Sequence, residues 1–450
     1  MMRLLGLLIA AAATLPAQPL TLEQAVEQAS RSYGAVKVSA EQSSAAAAAI
    51  QLARTSFLPK VDGLAQVNRA TRNNVFGMLM PNSVIMPISG PPNPENSASN
   101  VWGSAVGLLV SWEPFDFGLR QLQVGVAEAA RRRADAAVER TRFEVSVAAA
   151  DAFLTILAAE QTVEAAKAGV ERARTLHGLV SALAKADLRP GADVSRARAE
   201  LAMAETQQIQ AEQAVAMAKA ALSQYLGAPP ADVSAGKLIE APPGEAAAAA
   251  AGADHPAVRE QNAAMAESQA RMKVLDRSYF PRFNFQSGVY ARGTGANPNF
   301  TTSGGLVGLG PNIHNWGAGF SATLPVLDFK ILREKRAIEG AQARVESARL
   351  TQIRQDLDAR TARAQAMLDG ARRVLANLPV QVESARVAET QSTARYRAGL
   401  GTLAEVADAQ RLLTQSEIDI RLGRLGVWRA QLALAASRGD LAPFLAMVKP

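Results

Sequence analysis

Few side chains in this 450-residue chain could carry out covalent or metal chemistry. It contains no cysteine, which excludes disulfides, thiol nucleophiles and cysteine-ligated zinc. The three histidines, His177, His255 and His314, lie far apart in the sequence and form no metal-binding cluster. There is also no nucleophile–base set and no glycine-rich phosphate loop. The sequence therefore predicts no catalytic residue, no metal site and no cofactor.

One pair of acids has a spacing that places both on one surface. Glu405 and Asp408 are three residues apart in a predicted helix, so their side chains project from nearly the same face. Acids near a helix N-terminus are stabilised by the helix dipole. On spacing alone, these two are typical of ordinary solvated helix carboxylates.

The composition favours long helices over a large globular core. Hydrophobic residues make up 48% of the chain but aromatic residues only 5%, and much of the apolar content is alanine. Alanine fills little volume and suits helices in close side-by-side contact. The formal net charge of +7 is spread as arginines among glutamates. The tight basic block from Arg131 to Arg133 is typical of a solvated helix face, so no nucleic-acid partner is predicted.

Residues 1–17 have the pattern of a secretory signal peptide. Arg3 supplies a positive start, an apolar stretch of about ten residues follows, and Leu15-Pro16-Ala17 offers a cleavage site. This stretch is too short to cross a bilayer as a helix, which takes about 20 residues. We expect an exported chain without a transmembrane helix, which would have to use β-strands wherever it enters a membrane.

Four short segments recur in the same order, which predicts an internal duplication. Segments 56–60, 101–105, 112–117 and 193–197 resemble segments 278–282, 315–319, 324–329 and 405–409, respectively. The offset stays near 210 to 220 residues, so the chain is interpreted as two copies of one unit of roughly 210 residues. We assign the first repeat to 18–227 and the second to 254–450, joined by a Pro- and Ala-rich linker at 228–253.

Each repeat is predicted to contain a helix, a β-hairpin, a very long helix and a further helix. In the first repeat the initial helix begins after Thr21 and ends near Ser56, before a hairpin at about 59–114 and helices at about 119–187 and 192–226. In the second repeat the initial helix is followed by a hairpin at about 281–326 and helices at about 329–397 and 402–437. Apolar residues in the long helices repeat in heptads, which predicts coiled-coil-like packing.

The hairpin strands alternate with a period of two. In the last strand, Trp316, Ala318 and Phe320 alternate with Gly317 and Gly319. An apolar face opposite a small or polar face suits an outer-membrane strand with a wet lumen. A soluble hairpin packed on a core would show the same alternation.

The number of strands points to an assembly of several chains. One chain supplies four strands, whereas the smallest common membrane barrels need about eight. Three chains would supply twelve strands in a symmetric ring.

Taken together, these features resemble the TolC-like outer membrane efflux protein family. The most specific similarities are the strand-to-helix junctions at 114–117 and 325–329 and the helix turns at 188–197 and 396–409. The resemblance implies a mainly α fold with a membrane β part, in which a duplicated helix–β-hairpin–long-helix unit forms a homotrimer. The trimer would have a 12-stranded β-barrel that continues into an α-helical barrel.

The resemblance also implies a function and a location. Such a protein is an outer membrane channel-tunnel of a tripartite export system in a Gram-negative-type cell envelope, with a large periplasmic part. It contacts outer membrane lipid and passively conducts small molecules, as in multidrug efflux, or secreted cargo to the exterior. A periplasmic adaptor protein and an inner-membrane pump complete the system, and the pump supplies the energy.

Roles for four residues near the helix turns follow from the same resemblance. Glu405 and Asp408 match two acids that line the tunnel constriction, and Tyr396 and Asp193 match a phenol and a carboxylate that latch it shut. Three chains would bring six carboxylates together in rings that favour cations and repel anions.

The turns themselves are expected to contact the adaptor, at Pro190, Gly191, Gly399 and Gly401. The family's basic latch residue would fall at Gly401, so we expect a weaker latch or one that is built differently. Arg397 lies nearby, but the family pattern does not support assigning it that role.

A soluble periplasmic coiled-coil adaptor or scaffold protein stays open as the alternative. It would also be alanine-rich and duplicated. It would not need two amphipathic hairpins that carry tryptophan at their ends.

Overall fold

The computed structural model describes residues 19–71, 98–230, 232–244, 254–297, 299 and 301–449. The predicted signal peptide lies outside these residues, as do residues 72–97 and the linker residues 245–253. The chain forms two compact units. Unit 1 comprises Met1–Gln42, Ala134–Gln261 and Arg349–Pro450, and unit 2 comprises Ser43–Arg133 and Asn262–Ala348. Each unit therefore draws on both halves of the sequence.

The described residues are mostly helical and include one sheet. The elements are α1 (Leu22–Ser32), α2 (Gly34–Thr55), β1 (Lys60–Thr71), β2 (Asn100–Phe115), α3 (Leu119–Lys185), α4 (Gly191–Leu226), α5 (Lys237–Glu240), α6 (Pro256–Arg277), β3 (Arg282–Thr294), β4 (Ile313–Thr323), α7 (Phe329–Arg397), α8 (Leu403–Arg438) and α9 (Ala442–Val448). None of the described helices combines the length and apolar character needed to cross a membrane.

The prediction of a single helix from Thr21 to about Ser56 is wrong. Thr21 and Gln24 form the expected capping box, but α1 ends at Tyr33, whose backbone is extended, with φ −62° and ψ 138°. The ring of Tyr33 lies 5.3 Å from that of Tyr225 in α4. Gly34, a weak helix former, begins α2 directly afterwards, so the local sequence permits a break here. The side chain of Tyr33 packs against Tyr225 of α4.

The segment interpreted as a linker contains structure that its composition did not predict. In unit 1, Leu20 and Val233 form an isolated parallel bridge, and the short helix α5 buries Leu238 in the core. A second unpredicted helix, α9, buries Phe444 against Trp428, with ring centroids 6.1 Å apart. Around them, the main core cluster of unit 1 also includes Leu22, Phe153, Leu154, Ile156, Leu157, Leu222 and Leu425.

The strands of unit 2 form a four-stranded antiparallel sheet in the order β1-β2-β3-β4. The register aligns Gly63, Leu108, Val289 and Trp316 in one row across the sheet. The last three of these side chains are exposed. Since strand side chains alternate between faces, the opposite face carries the small and polar residues, including Asn284, Gln286 and Gly317. Among the described residues, β1 pairs only with β2 and β4 only with β3.

A buried ion pair fixes the junction between β2 and α3. One carboxylate oxygen of Asp116 accepts hydrogen bonds from the backbone N–H and the Nε of Arg120, at 2.7 and 2.9 Å. The guanidinium also donates to the carbonyls of Ser56 and Glu113, and it lies 5.0 Å from the centroid of the Phe57 ring. The chain can turn here because Phe117 and Gly118 both adopt positive φ, 53° and 85°.

The junction between β4 and α7 lacks an equivalent pair. Leu332 lies three residues after Phe329, at the place that Arg120 holds relative to Phe117. The side chains of Leu324, Val326 and Leu327 are exposed, and Leu327 is 81% exposed.

Candidate functional site

The two turns that connect the helix pairs of unit 1 have matching backbone geometry. After α3, Asp187 adopts a left-handed φ of 56°, and the N–H of Leu188 donates to the carbonyl of Leu183 at 3.0 Å. After α7, Gly399 has a φ of 79°, and the N–H of Leu400 donates to the carbonyl of Arg395 at 2.9 Å. Both helices therefore end with the same six-residue hydrogen-bonded turn.

The next helix begins differently in each turn. Pro190 precedes α4 and provides no side-chain cap. Thr402 precedes α8, and its hydroxyl oxygen accepts a hydrogen bond from the backbone N–H of Glu405 at 3.3 Å. The Thr402 hydroxyl in turn lies 3.2 Å from the Glu405 carboxylate. Glu405 is thus held at the first turn of α8, where the helix dipole favours a negative charge.

The four helices meet at these turns around the side chain of Tyr396. Its ring is completely buried with Leu176, Val180, Ala197, Leu403 and Val406. Its hydroxyl donates a hydrogen bond of 3.1 Å to Oδ2 of Asp193 in the first turn of α4. Burial, followed by the charge and the hydrogen bond of Asp193, raises the pKa of the Tyr396 phenol above its ordinary value of 10.0. The structure therefore places the two predicted latch residues in contact, and their role as a latch stays a prediction.

The side chain of Arg189 covers the other side of Tyr396. Its guanidinium carbon lies 4.4 Å from the centroid of the Tyr396 ring, and one terminal nitrogen donates to the Tyr396 carbonyl at 2.6 Å. Sequence reasoning missed this residue. A comparison of the two turns could have found it, because Arg189 follows Leu188 as Gly401 follows Leu400.

The two candidate gate acids lie on the exposed face of α8. Glu405 and Asp408 are exposed, whereas Leu403, Val406 and Ala407 between and beside them are buried. Asp408 pairs with Arg411, one turn further along the same helix. The sequence analysis did not anticipate this partner.

The predicted contact residues of the turns are accessible to a partner. Pro190, Gly191 and Gly399 are exposed, and Gly401 is partly exposed. Gly401 is also crowded, because a Cβ atom there would lie 3.3 Å from the Arg395 Cβ, the Glu405 carboxylate and the Tyr396 nitrogen. Arg397 lies on the exposed surface of its turn.

The described residues contain no group of three or more histidine, aspartate or glutamate side chains that could hold a metal ion. His255 illustrates this isolation. It is buried in unit 1, where its Nδ1 accepts a hydrogen bond from the backbone N–H of Ala257 at 3.1 Å. Burial also lowers the pKa of this imidazole below its ordinary value of 6.5.

Comparison with known proteins identifies the family. The family model described as outer membrane efflux protein matches residues 25–228 and 248–440. The chain belongs to the outer membrane efflux protein family. The resemblance drawn from the junctions and turns is thereby confirmed, and the family is one of efflux proteins, not of enzymes.

Individual relatives are similar to this efflux protein over most of its length. Protein CyaE of Bordetella pertussis is 27% identical over 350 residues, which are 76% of this chain and 72% of CyaE. The fold is similar to that of CusC, with a TM-score of 0.75 and 13% identity over 93% of this chain and 92% of CusC. It is also similar to the open state of the MtrE outer membrane channel of Neisseria gonorrhoeae. There the TM-score is 0.69 and the identity 16%, over 93% of this chain and 89% of MtrE.

Proposed function

We propose that this outer membrane efflux protein forms a homotrimeric channel-tunnel that passively conducts small molecules or secreted cargo out of the cell. The observation that carries the proposal is the sheet of unit 2. Its two outer strands have unpaired edges within the described part of the chain, and its exposed face is apolar. The unpaired N–H and C=O groups of an open edge can pair with further strands, and an exposed apolar sheet face is stable against lipid.

Three copies of the sheet would satisfy both requirements. Joining β1 of one protomer to β4 of the next gives a closed ring of twelve strands without edges. The apolar row formed by Leu108, Val289 and Trp316 would face lipid, and the row of small and polar side chains would face a water-filled lumen. The proposed duplication supplies two hairpins from each chain.

The proposed gate lies at the turns of unit 1. Glu405 and Asp408 are exposed on α8, so copies from three protomers could converge on a common axis as acidic rings. Tyr396 and Asp193 join α7 to α4 and would keep the turns in place. Opening would then require the phenol–carboxylate contact to break.

We further propose that the pump and adaptor of a tripartite system act on this gate. The exposed turns at Pro190–Gly191 and Gly399–Gly401 are the surfaces that an adaptor would contact. Membership of an efflux family supports this assignment, because export against a concentration gradient through a passive channel needs a separate protein to supply energy.

Cell fractionation and electrophoresis test the proposal. We expect the protein in the outer-membrane fraction, as a trimer band that resists mild detergent and separates only on heating. The purified trimer should also form pores in a planar lipid bilayer. A monomer in mild detergent or a soluble periplasmic product would refute the channel and support the adaptor or scaffold alternative.

A further inference from the structure

We infer that Arg189 is the cation of the latch, supplied by the first turn instead of the second. The inference rests on the proposed function, since it concerns the same gate. The family resemblance places a basic latch residue at Gly401, where this chain has none. A side chain at Gly401 would require small shifts of its neighbours, because a Cβ atom there would lie 3.3 Å from three of them.

The position of Arg189 in its own turn matches that of Gly401 in the other. Asp187 and Gly399 have the same left-handed backbone, Leu188 and Leu400 make the same turn-closing hydrogen bond, and Arg189 and Gly401 follow them. The arginine therefore occupies the equivalent place in the first turn.

Three contacts connect Arg189 and Asp193 with different parts of Tyr396. The guanidinium covers the ring face at 4.4 Å and donates to the backbone carbonyl at 2.6 Å, while Asp193 accepts from the hydroxyl at 3.1 Å. The same carbonyl accepts the N–H of Gly399 at 3.1 Å, so Arg189 also supports the hydrogen bond that shapes the second turn. A charge-assisted hydrogen bond and a cation–π contact are both stronger where water is partly excluded.

Arg189 is thus a positioning residue for the gate. It holds α7 against the start of α4 independently of the Tyr396 hydroxyl. Removing the hydroxyl alone should loosen the turns only in part, because the ring and carbonyl contacts remain.

Hydrogen–deuterium exchange and bilayer conductance, both on the full-length trimer, test the inference. In Arg189→Ala, amides at 396–402 should exchange roughly tenfold faster than in wild type, as expected for the loss of a charge-assisted hydrogen bond. Single-channel conductance should rise. Arg189→Lys should restore part of both effects, because lysine keeps the charge but lacks the planar group that stacks and bonds together.

Arg397→Ala is the matched control, since it removes one positive charge from the surface of the same region. It should leave both exchange and conductance near wild type. If Arg189→Ala behaves like Arg397→Ala in both measurements, the inference is wrong. If exchange rises but conductance does not, Arg189 fastens the turns without holding a gate, which also overturns the inference.

The two measurements separate this inference from the proposed function. A wild-type protein that forms no pore would refute the proposed channel. Hydrogen–deuterium exchange in Arg189→Ala would still test whether the contact between Arg189 and Tyr396 holds the turns together. The double variant Arg189→Ala/Tyr396→Phe adds a further criterion. Its effect on exchange should exceed that of either single variant, and an effect no larger than that of Tyr396→Phe would also overturn the inference.

Discussion

At the scale of single residues, Tyr396 is the most constrained side chain of the candidate site. The Arg189 guanidinium contacts both its ring and its carbonyl, and the Asp193 carboxylate accepts a hydrogen bond from its hydroxyl. The two acids proposed for the constriction lie outside this buried cluster, on the exposed side of α8. The residues that hold the turns and the residues that would face the cargo are therefore separate, and each set can be changed without removing the other.

Replacing both acids, Glu405→Ala/Asp408→Ala, should abolish cation selectivity and block by multivalent cations. Six carboxylates in a trimer attract cations and offer oxygen ligands to divalent ions, so their loss should bring cation and anion permeability close to equality. Reversal potentials in a salt gradient measure this effect. Asp369→Ala/Glu383→Ala also removes six charges, from exposed positions on α7, and should leave selectivity unchanged. Unaltered selectivity in the first variant would place the constriction elsewhere.

Arg411→Ala should have the opposite effect on selectivity. Arg411 pairs with Asp408 and lies 4.0 Å from the carboxylate of Glu200, so it offsets part of the negative charge near the proposed gate. Without it, the ratio of cation to anion permeability should rise. Because Arg411 and Asp408 are mostly exposed, the heat stability of the trimer should change little. A fall in the permeability ratio would contradict the assignment of Asp408.

Through the family resemblance of the turn segments, the sequence proposes four residues of this site, Glu405, Asp408, Tyr396 and Asp193. The structure brings Tyr396 and Asp193 into contact, and the gate role of the two acids stays a prediction. The resemblance assigns no role to Arg189 or Arg411. The position of Arg189 after Leu188 matches that of Gly401 after Leu400 and marks it as a candidate, but its contact with Tyr396, 207 residues away along the chain, arises only on folding.

At the scale of elements, the buried pair at the start of α3 should be a main source of local stability. Asp116→Asn should lower the free energy of unfolding by roughly 3 kcal/mol, since it leaves the Arg120 guanidinium buried without its counter-ion. Asp276→Asn removes the partner of Arg336 from an exposed pair and should cost less than about 1 kcal/mol. Thermal unfolding of the detergent-solubilised variants measures the two losses in the free energy of unfolding. Equal losses would mean that burial adds nothing to this pair.

The stability that the Asp116–Arg120 pair contributes should depend on pH in the acid range. Burial acts to raise the pKa of the Asp116 carboxyl, but hydrogen bonds and the charge of Arg120 outweigh it and hold the pKa below its ordinary value of 3.8. The stability that Asp116 contributes is therefore fully present above 3.8 and is lost as pH falls through the lower, folded value. The difference in unfolding temperature between wild type and Asp116→Asn should shrink in that range.

The helix turns should be the part of the protein that an adaptor reaches. Photo-crosslinking groups at Ala192 and Leu400, both exposed, should capture the adaptor in cells, because they flank the turns proposed as the contact surface. A group at Val106 in β2, also exposed, should not. Capture from Val106 alone would move the contact surface to the sheet.

Elements with a strong repeating pattern could be predicted from the sequence, whereas short elements could not. The alternation around Trp316 and Phe320 indicated a strand, and the heptads of α3 and α7 indicated long helices. The break at Tyr33 coincides with a ring contact with Tyr225, which is remote in sequence. The helices α5 and α9 are too short for a periodic signal, and each is held by one buried side chain, Leu238 or Phe444.

At the scale of the whole molecule, the open edges of the sheet make a prediction about assembly. The chain has no cysteine, so Val67→Cys on β1 and Trp316→Cys on β4 would be the only thiols in a double variant. A short bifunctional thiol reagent should link protomers into dimers and trimers and stop there, as a closed ring requires. Products larger than trimers would contradict a three-chain ring.

The inner strands provide the control for that experiment. Leu108 and Val289 are cross-strand partners in one chain, so Leu108→Cys/Val289→Cys should link within a protomer and give no ladder. Ladders of equal length from both variants would show that the reagent reports random encounters.

The two strand-to-helix junctions of unit 2 should differ in how many substitutions they tolerate. All three guanidinium nitrogens of Arg120 have partners, which are the Asp116 carboxylate and the backbone carbonyls of Ser56 and Glu113. A substitution of Arg120 removes all three bonds, and a substitution of Asp116 leaves the buried guanidinium without its counter-ion. The junction from Leu324 to Phe329 presents exposed apolar side chains without such a network. Successive neutral changes can therefore accumulate at the second junction but not at the first. If the two junctions arose by the proposed duplication, divergence among relatives should concentrate in the second of them.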